Sequence, residues 1–227
     1  MAYRKKAHLL QAYCPDIVII PECEHPDKLK FPADCPQPTD VLWYGKNLHK
    51  GLGIFSYSDY RLKLMDVHNP DIKLVLPIAV TGGSVDLTLF AVWAYNPLDP
   101  SYVYIGQVWK AILYYESILK SGSVILAGDF NSNVLWDKLK RKVSHTMVVE
   151  KLKELDILSA YHTYFDIEQG AEVHPTYYMY RHEHRPYHID YCFASRDMID
   201  RIEKVEVGRH EEWSKYSDHN PMVVSFR

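Results

Sequence analysis

The sequence predicts an α/β (α+β) sandwich, two packed mixed β-sheets flanked by helices, and three observations point there. Short β-branched runs, such as residues 16–21 (DIVIIP) and 123–127 (SVILA), read as buried strands. Several β-like segments crowd together between residues 41 and 94, with turns but no helix-length stretch between them. Amphipathic helical stretches lie on either side of 123–127, and the order departs from a regular βαβ array.

The elements follow in chain order. Ala7, Leu9, Leu10 and Tyr13 recur at helical intervals over 3–13, and Pro15 stops that helix. The strand over 16–21 comes next, then a proline-rich loop over 26–38. Strands are predicted over 41–44, 52–56, 61–67, 72–80 and 85–94, with Asn69-Pro70 and Gly82-Gly83 among the turns between them. Asp99-Pro100 reads as a cap and first turn for a long helix over 102–120 that ends near Gly122. After the strand at 123–127 comes a polar corner, 128–133, and then a helix over 144–155 with Ser144 as its cap. Strands over 187–194, 202–207 and 222–226 close the chain. Without a repeat, low-complexity tract or linker, residues 1–227 read as one domain.

Composition narrows the function classes. A hydrophobic share of 47% and a charged share of 24% are those of an ordinary globular protein. A net charge of -3 excludes a whole-surface basic field, though a local basic groove remains compatible with it. Cys14, Cys23, Cys35 and Cys192 stand at no metal-ligand spacing and are few for a disulfide scaffold, which reads as reduced thiols in a cytoplasmic protein. The longest apolar runs, 74–80 and 87–94, are strand-length, so no membrane span is expected. Arg4-Lys5-Lys6 opens an amphipathic stretch rather than a signal peptide.

Polar residues at the ends of apolar strands carry the chemistry. Five places stand out: Glu22 to Glu24, Trp93 to Asn96, Asp129 to Asn131, His188 to Tyr191 and Ser217 to Asn220. Singly, each has a plain structural reading. Glu22 caps a turn, Asp129 and Asn131 form an Asx turn, Asp190 is a satisfied buried carboxylate, and His219 is a structural histidine. Together, several carboxylates, an amide and an imidazole at strand ends suit metal-assisted phosphoryl chemistry. Mg²⁺ takes one or two carboxylates plus water and phosphate. A histidine beside an aspartate stays protonated and can face the phosphate, while a second aspartate can accept a proton from water.

At these residues the chain resembles the endonuclease/exonuclease/phosphatase superfamily, which includes deoxyribonuclease I, exonuclease III, apurinic endonucleases, sphingomyelinases and inositol phosphatases. The resemblance runs in order from about Asp16 to the end. Pro15 to Glu22 looks like the strand that ends in a metal-binding glutamate, and Gly128-Asp129-Phe130-Asn131 looks like the G-D-F-N signature. His188-Ile189-Asp190-Tyr191 is similar to the strand whose aspartate supports the catalytic histidine, and Ser217-Asp218-His219 to the closing S-D-H motif. The resemblance implies a deoxyribonuclease I-like fold and a hydrolase dependent on Mg²⁺ or Mn²⁺ that cuts phosphodiesters. It implies Glu22 and Asp218 as metal-site carboxylates, Asp129 to position or deprotonate water, and Asn131 to hydrogen-bond phosphate. His219 would offset developing charge, oriented by Asp190, and Trp93 or Asn96 would lie near the scissile phosphate.

Two departures qualify it. Pro21 stands where the family has a glutamine, and the family's first strand, which carries an asparagine, has no counterpart before the opening helix. The expectation is that Met1 is an internal start and that the natural protein extends upstream. A nuclease acting on DNA or RNA is favoured by the aromatic and basic run Tyr177, Tyr178, Tyr180, Arg181, His182, His184 and Arg185. That run also reads as a solvated loop. A small-molecule or lipid-headgroup phosphodiesterase, a non-catalytic binding module, and a zinc site at His182, His184 and His188 are the other readings.

Overall fold

The computed structural model describes residues 3–31, 35–95, 104–138 and 142–227. A 3₁₀ turn, Tyr3–Lys5, leads into helix α1 (Ala7–Gln11), then strands β1 (Ile17–Cys23), β2 (Asp40–Asn47) and β3 (Lys50–Ser56). Strands β4 (Arg61–Leu64), β5 (Val75–Thr81) and β6 (Leu87–Trp93) follow, then helices α2 (Ile105–Tyr114) and α3 (Glu116–Leu119) and strand β7 (Val124–Asp129). The rest is α4 (His145–Glu154), β8 (Ile157–Ser159), α5 (Ala160–Phe165), β9 (Tyr177–Tyr178), β10 (Pro186–Tyr187), β11 (Asp190–Ser195), α6 (Arg196–Ile199), β12 (Ile202–Val207), α7 (His210–Trp213) and β13 (Met222–Phe226).

One layer is a six-stranded sheet in the order β4-β5-β6-β7-β11-β8, with its parallel pairing at β6–β7. The other layer contains the antiparallel three-stranded sheet β1-β3-β2, and β12 pairs with β13 in a further antiparallel sheet. Alternation along each strand decides what packs where. Ile17 and Ile19 of β1 face Leu76, Ile78, Leu89 and Ala91 in the core between the layers, while Val18 and Ile20 face Tyr3, Ala7, Leu10 and Trp213 on the other side. On β6, Leu89, Ala91 and Trp93 point into the inter-sheet core, and Phe90 and Val92 point to helices α2 and α4. At about 25 cal/mol per Å² of apolar surface, this double-faced burial is the main force holding the sandwich. Among the described residues no helix is long and apolar enough to cross a membrane.

Several predicted elements are revised: the helix over 3–13 is the 3₁₀ turn Tyr3–Lys5 followed by α1, and the strand over 61–67 ends at Leu64. The helix over 102–120 is two helices, α2 and α3, with the break at Tyr115. That ring is 1% exposed, packs on Phe90, and its hydroxyl accepts the Asn69 N–H at 2.8 Å, so tertiary contacts take the backbone out of register. The strand over 187–194 is two pieces, with Tyr187 paired to Tyr177 in the β9–β10 hairpin and β11 starting at Asp190. The strand over 72–80 begins at Val75, and β8 and α5 had no sequence expectation. Ser144 caps α4 as expected, its hydroxyl accepting the Met147 N–H at 3.2 Å. The Asp99-Pro100 cap lies outside the described residues.

Candidate active site

The end of the six-stranded sheet brings the chemistry together. Register pairs Trp93 with Asp129 and Asp129 with Asp190, so three neighbouring strands present these residues in a row. Gly128 makes the row possible. Its φ is +136°, and a Cβ there would lie 2.0 Å from the Val92 carbonyl oxygen, so β6 and β7 approach as only glycine allows.

Asp190 accepts a hydrogen bond from His219 Nδ1 at 2.9 Å. The loop carrying His219 is fixed by the Tyr177–His219 bridge, by Tyr178 N–H donating to the Asp218 carbonyl at 2.7 Å, and by His219 N–H donating to Ser217 Oγ at 3.1 Å. Thr176, fully buried, accepts the backbone N–H groups of Ile189 and Asp190 at 3.0 Å each and sets where β11 begins. Asn131 donates its amide to Asp129 Oδ2 at 2.6 Å and to the Ala94 carbonyl at 3.1 Å, and its backbone N–H to Asp129 Oδ1 at 2.8 Å. Both oxygens of Asp129 are therefore held.

Two of these residues sit in left-handed backbone that non-glycine residues avoid: Glu22 at φ +58° and Asn131 at φ +46°. At Glu22 the cause is a bulge between Ile20 and Cys23, just after Pro21, which re-aims the end of β1. Glu22 is ion-paired with Lys50 Nζ at 2.8 Å, and that ammonium also lies 5.4 Å from the centre of the Trp93 ring.

Charge distinguishes the corner from ordinary surface. Burial pushes the Asp129 carboxyl well above the carboxylate range, and repulsion from Asp190 adds to it, while His219 and the Asn131 bond pull the other way. Burial works against a charged His219, yet Asp190, by charge and by hydrogen bond, then Asp129 and Asp218, raise it to about 9. Ligand atoms of Asp129, Asp190 and His219 lie within 4.8 Å of one another. The donor set fits a hard divalent cation: crowded carboxylate oxygens, one of them forced up by burial and by its neighbour, gain from an added positive charge. His219, itself cationic and donating to Asp190, serves better as a counter-charge than as a ligand.

Of the sequence-derived set, Asp129, Asn131, Asp190 and His219 converge. Glu22 lies close enough for its charge to act on Asp129, and Asp218 acts on His219. Trp93 is 5% exposed and belongs to the inter-sheet core, a floor under the row rather than a free surface. Asn96 lies outside the described residues. Within the aromatic run, Tyr177 packs on His219 at 4.8 Å between ring centres, whereas Tyr180, His182 and His184 stand out in solvent. His188 is buried with Nδ1 bonded to the His174 carbonyl at 2.8 Å, apart from the His182–His184 stack. Thr176 and Lys6 were missed; a residue 14 positions from its partner Asp190 leaves no local signature.

No protein-family profile matches the chain, and no curated protein sequence does. Solved structures do. The AP endonuclease from Archaeoglobus fulgidus superposes with a TM-score of 0.70 at 18% identity, covering 99% of this chain and 95% of that one. The 3′ phosphatase NExo from Neisseria, bound to a product DNA hairpin, gives 0.67 at 19% identity and covers 100% and 96%. The 3′–5′ exonuclease NExo from Neisseria meningitidis gives 0.64 at 21% identity and covers 97% and 95%. At such identities the likeness is one of architecture. The chain has the deoxyribonuclease I-like fold of the endonuclease/exonuclease/phosphatase superfamily.

Proposed function

We propose that residues 1–227 act as one domain, a divalent-metal-dependent phosphodiesterase whose substrate is nucleic acid, DNA first. The observation that carries this reading is the convergence of Asp129, Asn131, Asp190 and His219 at adjacent strand ends, with His219 held as a cation. The names of the similar structures, an AP endonuclease, an exonuclease and a phosphatase bound to a DNA product, support the choice of nucleic acid. Reduced thiols at Cys14, Cys23 and Cys192 suit a cytoplasmic protein.

In this mechanism His219 faces the phosphate and offsets the charge that develops on its oxygens, and Asp190 fixes the ring so that Nε2 is the atom presented. Asp129 takes the proton from the attacking water. Asn131 holds Asp129 in place, and it contacts phosphate by giving up its bond to the Ala94 carbonyl. Glu22 and Asp218 would hold Mg²⁺ or Mn²⁺, and the ion would supply charge neutralisation and a more acidic water. Lys50 must then release Glu22.

The test is hydrolysis with Mg²⁺, Mn²⁺ or EDTA on abasic duplex DNA, single-stranded RNA, a chromogenic diester, a chromogenic monoester and sphingomyelin, with Asp129→Asn as the contamination control. Metal-dependent cleavage of DNA, lost in the variant, is the expected result. Turnover confined to the chromogenic compounds or the lipid would remove nucleic acid. Silence in every lane would leave a binding module.

A further inference from the structure

We propose that Lys6 is a phosphate-binding residue of this site, a fixed cation that takes a non-bridging oxygen of the scissile phosphate; the proposal rests on the phosphoesterase reading above. Lys6 stands at the N-cap of α1, where its side chain makes no capping bond. Its ammonium instead meets a segment 211 positions along the chain and donates to Ser217 Oγ at 3.4 Å. Ser217 is the residue before Asp218, and its hydroxyl also accepts the His219 N–H at 3.1 Å. The ammonium therefore lies beside the loop that presents His219.

Both ends of this contact hang from one core. Tyr3, Ala7 and Leu10 pack with Trp213, and Ser217 N–H donates to the Trp213 carbonyl at 2.9 Å. Lys6 is thus positioned by rigid neighbours rather than by a mobile tail. Burial pulls its pKa below that of a free lysine, and the acids that support its charge are Asp218, Asp190, Cys23 and Glu22, in that order. Three of those four are carboxylates of the site. An ammonium has three donors, and among the described residues Ser217 is its one hydrogen-bond partner, at a long distance. A cation placed among carboxylates with donors to spare suits an anion that arrives between them.

A lysine that only quiets the carboxylates would behave differently, because its loss would strengthen metal binding and leave phosphate untouched. The test compares wild type with Lys6→Met, Lys6→Arg and the exposed neighbour Lys5→Met. Three quantities are read: kcat/KM on the substrate found above, the affinity for inorganic phosphate by calorimetry in Mg²⁺, and the melting temperature. Lys6→Met is expected to lower kcat/KM about 10²-fold, as loss of one charge-stabilising donor does. Phosphate affinity should fall about tenfold, one charge-assisted contact. Lys6→Arg should regain part of both, and Lys5→Met should match wild type at an unchanged melting temperature.

Phosphate affinity and turnover both within threefold of wild type in Lys6→Met would overturn the proposal and leave the nuclease reading standing. So would tighter Mg²⁺ binding with phosphate affinity unchanged, and so would a wild type that takes no phosphate. A wild type that hydrolyses nothing but binds phosphate through Lys6 keeps the lysine and removes the nuclease reading.

Discussion

Among the described residues, besides the local surface contact of His25 with Asp27, two histidine–carboxylate pairs join separate elements, and their surroundings give them opposite characters. His219 and Asp190 meet at 2.9 Å with side chains 31% and 19% exposed. His162 and Glu172 meet at 3.1 Å with side chains 8% and 3% exposed. The sealed pair is densely bonded at one carboxylate oxygen. Glu172 accepts from His162, from Gly170 N–H at 3.1 Å and from the Asn133 amide at 3.2 Å. Burial works against its charge, but the bonds from His162, from Gly170 N–H and from its own backbone N–H prevail and hold it at about 2. Asn133 also donates to the His188 carbonyl at 3.0 Å, two residues before Asp190, so the sealed network braces the open one. Near the open pair the neighbour is another carboxylate, Asp129, and crowding replaces dense bonding. The same two functional groups are locked where donors surround the carboxylate and electrostatically crowded where a second carboxylate stands beside it.

That contrast can be broken from either side. Asp129→Asn should cost the most turnover, about 10⁴-fold, the upper end of what a positioned base supplies, with thermal stability kept. His219→Ala should cost about 10³-fold in kcat, and a variant within threefold of wild type would remove the imidazole from the mechanism. Glu172→Ala should act the other way, lowering unfolding free energy by about 3–5 kcal/mol in a urea titration, because His162 Nε2, the Gly170 N–H and the Asn133 amide all lose this acceptor. A loss under about 1 kcal/mol would erase the distinction between the pairs.

The pH dependence follows from the same contrast, with a smaller effect. His145 is fully buried beside this network, and burial pushes it from 6.5 to about 4, more than its Gln169 bond and the nearby acids can restore. Its neutral form belongs to the folded state, so its contribution is whole above pH 6.5 and lost as pH falls towards 4. His219 has the opposite sign. Its folded value is raised, so its contribution is whole below pH 6.5 and lost as pH rises through about 9, where activity should fade too. A urea midpoint flat from pH 7 to 4 would contradict the first part, and a rate still climbing above pH 10 the second. The smallest effect belongs to His184→Ala, exposed and stacked on His182 at 5.3 Å. It should change stability by less than about 0.5 kcal/mol and alter KM for polymeric substrate only.

What the sequence disclosed depended on whether the determining contacts were local. The strands around Ile17–Ile20 were readable because β-branched side chains alternate between two cores, and both faces being apolar leaves a continuous run. Asp129, Asn131, Asp190 and His219 were readable because each lies at the end of such a run. The break at Tyr115 was not, since its cause is the Asn69 backbone, 46 residues away. Lys6 was hidden for the same reason, with a partner 211 positions along the chain. The sealed network of Asn133, His162 and Glu172 gives no periodic signal at all, because its members come from two loops and a helix the pattern did not anticipate.

The tight seam at Gly128 has a further consequence. Asp129 follows the point where β6 and β7 touch backbone to backbone, so the span from Trp93 to Asp129 admits no adjustment by side-chain substitution. That side of the corner is thus of fixed gauge, and variation in its shape is left to the surrounding segments, such as the loop of Tyr177 that packs on His219.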